Sequence, residues 1–412
     1  MADNPFDGEL FSGGTAPSAS DLAARINENL SSWLRYVSEE PSLYELNLKA
    51  EEIMVDLGYA TAIPATINKA LELVTAVDTQ FERLGLWRQW YPRLMGLYSP
   101  VMDRLPANWK AELFRTFVNH YLYRGDLLRA NAAINAILDL AADKWNEALQ
   151  DAMVGVAYVA TGLETDDRAA KLAQMLISLA YVTHNDLLLG RSYSVLSQYY
   201  ADRFDNVKAF IYGQMVYCIG IKSQHDPFIL NGLHFMALAF QVGQDYPRAI
   251  TYLEYALEYA CLTGDKFRIE YMLLTWGMCS YATGDYIKAE GQLRDSIAVF
   301  KDAGHYYASA LYAHGLCLMS LNRYEEAEQD FKTALAERIK QKRVFDAIYV
   351  KHGLAELYSV TRRHAEAILL SLEALSEAES MAERAGEYYL KVLRADVVEY
   401  QRRRDVDASK RW

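Results

Sequence analysis

The sequence repeats one short turn three times: Gly243-Gln244-Asp245-Tyr246-Pro247-Arg248-Ala249, Gly284-Asp285-Tyr286-Ile287-Lys288-Ala289 and Leu321-Asn322-Arg323-Tyr324-Glu325-Glu326-Ala327. Each copy follows an apolar helical segment and precedes another one. Gly or Asn in such a turn adopts positive φ at little cost, and Asp can cap the helix that follows. We therefore predict a recurring helix–turn–helix unit over residues 231–335.

The alanine that ends each copy sets the period. Equivalent small residues stand at Ala130, Ala209, Ala249, Ala289, Ala327 and Ala367. Their separations are 79, 40, 40, 38 and 40 residues, and Ala169 divides the first, double-length gap. Self-similarity at a fixed period is typical of stacked repeats. The spacing predicts seven units between about Ala111 and Glu379.

The two helices of a unit carry complementary patterns. The first is apolar at i, i+3, i+4 and i+7, as in the segment from Leu233 to Phe240, which is one face of a helix. The second carries a small, a large and a small residue in turn, as in Ala289, Leu293 and Ser296. The small residues let two helices approach closely, and the larger one fills the space between them.

This pattern resembles the tetratricopeptide repeat, in which a small residue of helix A packs on an alanine of helix B. The resemblance covers about two thirds of the chain, although the period is about 40 rather than about 34 residues and the final proline is absent. It implies an all-α fold, a right-handed α-solenoid of helix pairs. Similar long repeats occur in maltose-regulon-type activators, Rap-type peptide-sensing regulators and spindle-orientation adaptors, which all bind a peptide, protein or effector.

The remaining segments suggest four parts. Residues 1–19 are Gly-, Pro- and Ser-rich and predict a disordered leader. Residues 20–108 predict an N-terminal helical region or divergent repeats, with Ser20 and Ser42 as helix caps and Pro64 in a first helical turn. Residues 109–380 are the array. Residues 381–412 predict a capping helix, from about Glu387 to Arg403, and a basic tail.

Composition limits the partners. The net charge of −12 argues against nucleic acid, which requires a basic surface. No uncharged apolar run is long enough to insert into a membrane, and no secretory signal is evident. The four cysteines, Cys218, Cys261, Cys279 and Cys317, have no metal-ligand spacing. We expect free, mostly buried thiols in a reducing cytoplasm.

The sequence offers no pattern that supports catalysis. It contains no phosphate-binding Gly-rich loop, no H-E-x-x-H and no C-x-x-C. The histidines are scattered over different repeats, and the acidic pairs Asp166-Asp167 and Glu325-Glu326 stand at helix starts, where carboxylates favour the helix dipole. We predict a non-enzymatic protein without cofactor or metal.

The candidate site is a groove lined by helix A. Positions one residue after its core places are rotated by about 100°, and in tetratricopeptide arrays that face lines the concave surface. These positions are Arg115, Asn119, Tyr158, Arg191, Gln198, Asn231, His234, Gln241, Tyr271, Met278, Tyr281, Tyr312, Met319, Tyr349, His352 and Glu356. Aromatic side chains suit peptide binding because they lose little entropy on contact. The competing interpretation is that several tyrosines pack between repeats.

Two smaller features remain open. Arg115, Asn119 and Arg191 resemble part of the carboxylate clamp of chaperone-binding family members, but Gly155 and Val195 replace its other positions. The aromatic segment from Trp87 to Tyr98 is either an exposed partner anchor or a plug for the end of the array.

Two hypotheses for function follow from the resemblance. The first is an adaptor that holds a protein or peptide in its groove. The second is a sensor whose solenoid changes shape when a ligand binds. A homo-oligomer is compatible with both.

Overall fold

The computed structural model describes residues 18–60, 63–98, 102–103, 105, 107–123, 126–140, 154, 168–303, 307–340 and 343–409. These residues form helices joined by short turns, and the ranges just given contain no β-strand. The all-α prediction is confirmed. The predicted leader lies outside the described residues apart from Ser18 and Ala19.

The chain divides into two compact units. The first comprises Met1–Phe81 and Gln89–Leu105, and the second comprises Glu82–Arg88 and Pro106–Trp412. The first four helices are α1 (Ala19–Ser38), α2 (Leu43–Ala60), α3 (Ile67–Arg83) and α4 (Trp87–Tyr98), with a 3-10 turn at Pro64–Thr66 before α3.

Fourteen further helices follow in the described part of the chain. They are α5 (Ala107–Tyr123), α6 (Leu127–Leu140), α7 (Arg168–Thr183), α8 (Asp186–Ala201), α9 (Asn206–Ser223), α10 (Asp226–Val242), α11 (Tyr246–Thr263), α12 (Lys266–Ala282), α13 (Tyr286–Ala303), α14 (Ala308–Ser320), α15 (Tyr324–Lys340), α16 (Val344–Val360), α17 (His364–Ser380) and α18 (Ala382–Ser409).

Serine caps open the first two helices. The Ser18 hydroxyl accepts from the Asp21 backbone N–H, and the Asp21 carboxylate accepts from Ser18 in return, which is a complete capping box. The predicted cap at Ser20 is therefore wrong by two residues, because Asp21 lies three residues after Ser18. Ser42 caps α2 as predicted and forms the same reciprocal contacts with Glu45.

The aromatic segment from Trp87 to Tyr98 forms helix α4. Trp90 and Tyr98 are fully buried, and the Trp90 ring lies edge-on to Phe81 with centroids 4.8 Å apart. The Trp90 indole N–H donates to Asp78 at 3.1 Å. These side chains belong to the core of the first unit, so they are not an exposed anchor for a partner.

The second unit is built from helix pairs with the predicted period. We call α8, α10, α12, α14 and α16 the A helices, and α7, α9, α11, α13, α15 and α17 the B helices. The anchor alanines are all buried: Ala130, Ala169, Ala209, Ala249, Ala289, Ala327 and Ala367. The structure thus buries the small residue at each of the seven predicted anchor positions.

Close helix approach explains why two A helices carry glycine at the crossing. A Cβ at Gly277 would lie 2.5 Å from the Leu293 side chain of its own B helix. A Cβ at Gly315 would lie 2.7 Å from the Phe331 ring. Each glycine thus accepts the large residue of the small–large–small pattern on the B helix.

The turns between A and B helices each contain a left-handed residue, but not always the one predicted. Gly243 has φ −76°, and the following Gln244 takes the left-handed φ of 61°. Gly284 and Asn322 hold the equivalent place with φ of 85° and 60°. Asp245 then caps α11 by accepting from the Arg248 backbone N–H, as predicted.

The last helix is longer than expected and covers the final pair. It spans Ala382–Ser409 rather than about 387–403, and it buries Leu390, Leu393, Val397 and Tyr400. Leu390 and Leu393 pack against Ala374 and Ala378 of α17, so the helix lies in the place of a further repeat helix.

The cysteines differ from the expectation of mostly buried thiols. All four are free; Cys279 and Cys317 are buried, whereas Cys218 and Cys261 are exposed on B helices.

Candidate functional site

Most side chains of the A helices are buried or half-buried, and one row of accessible residues recurs from helix to helix. On α10 and α12 the stripe residues recur at i, i+3, i+7 and i+10, and on α14 they occupy the last three of these places, which is one edge of a helix. We call these residues the A-helix stripe: Arg191, Gln198, Asn231, His234, Leu238, Gln241, Tyr271, Leu274, Met278, Tyr281, Tyr312, Leu316, Met319, Tyr349, His352 and Glu356.

The described side chains of the predicted groove are all half-buried or exposed, and none is fully buried. For three predicted residues the exposure of the side chain is not described. Tyr158 lies outside the described residues, and for Arg115 and Asn119 the structure describes only the backbone, within helix α5. The stripe also contains three leucines that were not predicted, Leu238, Leu274 and Leu316. They follow the same helical spacing, but the prediction considered mainly polar and aromatic residues.

The stripe on α8 is polar. Arg191 and Gln198 are half-buried, and the Gln198 amide donates to Asp202 at 2.8 Å. Val195, at a clamp position, is fully buried in a hydrophobic cluster. A side chain at that position points into the core, so it contributes nothing to a carboxylate clamp.

A buried ion-pair network lies beside Asn231. The Arg268 guanidinium donates to the Asn231 side-chain oxygen at 2.9 Å and to Asp265 at 2.8 Å. Asp265 is fully buried and also accepts from Arg83 at 3.3 Å. Arg83 belongs to the Glu82–Arg88 stretch of the second unit. Burial makes such pairs expensive to break, because the remaining charge would be left uncompensated.

The network continues at the start of α10. Arg83 donates to Asp226 at 2.9 Å, and the Tyr259 hydroxyl donates to the other Asp226 oxygen at 2.8 Å. His225, the N-cap of α10, interacts electrostatically with the same charged groups. Burial, together with the nearby charges of Arg268, Arg191 and Arg83, lowers the pKa of His225 to about 4.

Sequence reasoning missed this network because it searched the middle of the A helices. Asp226 and Asp265 stand instead at or just before the first residue of α10 and α12. The available signal was their spacing of 39 residues, which is close to one repeat. Arg83 gave no signal, since it lies outside the array.

His234 is held as a neutral imidazole. Its Nε2 lies 2.9 Å from the Thr275 hydroxyl, and Thr275 donates to the Tyr271 carbonyl at 2.9 Å. Because the Thr275 hydroxyl hydrogen is already donated to the Tyr271 carbonyl, the Thr275 oxygen acts as an acceptor towards His234. The hydrogen between them is therefore carried by Nε2 of His234. Burial lowers the pKa of His234 to about 4. The imidazole therefore joins α10 to α12 as a donor.

The tyrosines of the stripe also contact neighbouring helices. Tyr271 lies edge-on to Phe300 of α13, with centroids 5.0 Å apart, and Tyr281 lies 5.5 Å from Tyr286. Burial raises the pKa of Tyr271 and of Tyr312. Met278, between the two tyrosines of α12, is 42% exposed. The rings of Tyr271 and Tyr281 thus pack against the neighbouring helix, while Met278 in the same row stays accessible to solvent.

Helix α18 contacts the end of the stripe. The Tyr349 ring lies 4.8 Å from Tyr389, and His352 Nε2 lies 2.7 Å from the Asp396 carboxylate. Glu356, one turn further along α16, is exposed. Tyr349 and His352 are therefore engaged by the chain's own last helix.

The described residues contain no group of three or more His, Cys, Asp or Glu side chains that could hold a metal ion. Among the same residues, no helix is long and apolar enough to cross a membrane. The stripe offers instead amide, imidazole and phenol groups beside leucine and methionine, a combination that can contact both the backbone and the side chains of a peptide.

Comparison with solved structures identifies the fold. A Rap protein complexed with Competence and Sporulation Factor superposes with a TM-score of 0.52 at 13% identity, covering 82% of this chain and 98% of that one. Aspartyl phosphate phosphatase F from Bacillus subtilis gives a TM-score of 0.50 at 13% identity, covering 91% and 97%. No protein-family model and no curated protein matches the sequence.

The helix pairs, the buried anchor alanines and these structural neighbours agree. The second unit has a tetratricopeptide-like fold of helix pairs, with repeats about 40 residues long.

Proposed function

We propose that this protein binds a protein or peptide along the A-helix stripe and acts as a non-enzymatic adaptor. The observation that carries the proposal is the register of the accessible residues. Five successive A helices leave accessible, at recurring places, side chains that suit recognition. A row that serves packing alone would not need polar groups such as Gln241 and Glu356 at its accessible edge.

The stripe changes character along the array, which suggests an extended ligand. Its first part, from Arg191 to Gln241, offers polar groups, and its second part, from Tyr271 to Met319, offers rings and methionines. The partner that fits best is a peptide or extended segment with polar residues at one end and apolar residues at the other. Amphipathic rings with few rotatable bonds favour such contacts.

The test starts by identifying a partner through pull-down from the native cell and then compares two variants. Met278→Arg places a long charged side chain in the accessible part of the stripe, and we expect at least a tenfold loss of affinity, about 1.4 kcal/mol. Ile287→Arg is the matched control, since Ile287 is 79% exposed on the adjacent B helix. Equal affinities for both variants, at unchanged melting temperature, would move the binding site elsewhere.

The sensor hypothesis remains as a second candidate because the stripe adjoins the ion-pair network. A ligand that contacts Asn231 competes with Arg268, which itself holds Asp265 and hence Arg83. Small-angle scattering with and without the identified partner separates the hypotheses. A sensor changes its radius of gyration when the ligand binds, whereas a passive adaptor keeps it.

A further inference from the structure

The outer surface of the B helices changes character at one point of the array. The residue six places after the anchor alanine is exposed in six successive repeats. In the first three it is apolar: Met175, Met215 and Tyr255, with exposed fractions of 67, 39 and 60%. In the next three it is Asp295, Thr333 and Glu373. Since the position is equivalent, the apolar side chains are not required by the fold.

Side chains link these three B helices to one another. Phe210 of α9 and Tyr252 of α11 contact each other with ring centroids 6.5 Å apart. Tyr193 links α7 to α9, because its hydroxyl lies 2.9 Å from that of Tyr181 and its ring lies 5.9 Å from Tyr212. Val207, Ile211 and Ile221 of α9 are also exposed. We call this surface the outer apolar patch: Met175, Val207, Ile211, Met215, Ile221 and Tyr255.

The patch has little net charge of its own. Lys208 pairs with Asp205 at 3.0 Å, and Lys222 pairs with Asp186 at 2.9 Å, so both lysines of α9 are compensated within the chain. The edges of the patch differ in sign: α7 exposes Lys171, and α11 exposes Glu254. The chain as a whole carries −12, which repels a second copy at most surfaces but not at this neutral one.

We propose that the outer apolar patch is a twofold interface between two copies of this chain. A twofold axis parallel to α9 places α9 against its counterpart and α7 against α11 of the other copy. Lys171 of each copy then faces Glu254 of the other, and Met175 faces Tyr255. The edges of opposite sign thus become complementary, and the apolar centre is covered.

The size of the patch predicts a weak dimer. Helices of 16 to 18 residues are about 25 Å long, and a contact strip about two helix diameters wide, roughly 20 Å, covers roughly 500 Å² on each copy. The total of about 1,000 Å² is at the lower end for specific interfaces. Association should therefore depend on concentration in the micromolar range.

Sedimentation velocity tests the proposal with a matched pair of variants. Ile211 and Leu369 occupy the same place of the repeat, two residues after the anchor alanine, and are 43 and 62% exposed. We expect the wild type and Leu369→Asp to dimerise as concentration rises to about 300 µM, and Ile211→Asp to weaken dimerisation at least tenfold. A wild type that stays monomeric, or equal behaviour of the two variants, overturns the proposal.

A charge exchange tests the orientation. Lys171→Glu should weaken the dimer, because two like charges then face each other, and adding Glu254→Lys to that variant should restore it. A double variant that dimerises as weakly as Lys171→Glu contradicts the arrangement of α7 against α11. The interface is distinct from the A-helix stripe, so partner binding by the Ile211→Asp variant shows whether the two surfaces act independently.

Discussion

The A and B helices share one period but meet different neighbours. An A helix packs against B helices and against the A helices before and after it, so most of its surface is covered. A B helix keeps a broad exposed face, as α11 does at Thr251, Glu254, Tyr255 and Glu258. The comparison teaches that buried polar residues on A helices need partners within the fold, whereas packing constrains the residues on the outer face of B helices much less.

The polar contacts follow the same division. On A helices several of them join different helices in the interior, as His234 does with Thr275 and Arg268 does with Asn231. At the exposed starts of B helices several are local, as in the pair of Asp205 with Lys208, although Arg363 also contacts Glu328 of the preceding B helix. Exposed local pairs contribute little to stability, so we expect the A-side contacts to dominate the polar contribution.

The inward face of a B helix should give the largest effect. Phe331 is fully buried, lies under Gly315, and contacts Tyr312 with ring centroids 5.9 Å apart. Phe331→Ala should lower the free energy of unfolding by about 3–5 kcal/mol, because it leaves a cavity. Thr333→Ala, on the exposed face of the same helix, is the control and should change it by less than about 0.5 kcal/mol. Urea unfolding measures both, and similar losses would contradict the division between faces.

The helix crossing comes next. Ala289→Leu adds volume at a fully buried contact and should cost about 1–3 kcal/mol. Ala298 lies on the exposed side of the same helix, so Ala298→Leu should be nearly neutral. If both variants melt like the wild type, the register of this repeat is wrong.

The His234 contact predicts a dependence on pH. Its pKa is about 4 in the folded protein and near 6.5 when unfolded. Between these values the unfolded chain binds more protons, so stability falls as the pH drops from 6.5 towards 4. His234→Gln keeps a donor without titrating, and we expect the wild type to lose about 1–2 kcal/mol more than this variant between pH 7 and pH 4.5. Parallel pH profiles of the two proteins in urea unfolding would refute the neutral imidazole.

The turn between the two kinds of helix should give the smallest effect. Phe204 has φ 59°, a left-handed backbone conformation that is strained for a residue with a Cβ. Its side chain is 78% exposed, so packing offsets little of that strain. Phe204→Gly should raise stability by about 0.5–1 kcal/mol, and Gly284→Ala, at the equivalent turn with φ 85°, should lower it by about 1 kcal/mol. Thermal unfolding measures whether the two changes in stability have opposite signs. A Phe204→Gly variant less stable than the wild type would show that the Phe204 ring contributes packing.

Much of the groove could be predicted because helical period converts sequence position into direction. Once the anchor alanines are aligned, the half-buried places of Asn231, Tyr271 and Tyr312 follow from a rotation about each helix axis. How far a ring is covered does not follow, since coverage comes from other repeats. The sequence left open whether tyrosines pack between helices, and Tyr271 against Phe300 shows that at least this one does.

The sequence by itself determined the fold class, the repeat length and the small residues at each crossing, because these depend on contacts that recur at a fixed separation. Only the tertiary structure decided which residue takes the left-handed turn at Gln244, that Arg83 joins Asp226 and Asp265, and that α18 contacts Tyr349 and His352. The last two contacts join residues that do not share a repeat position. Their partners are set by how the chain packs in space, and no period in the sequence records that.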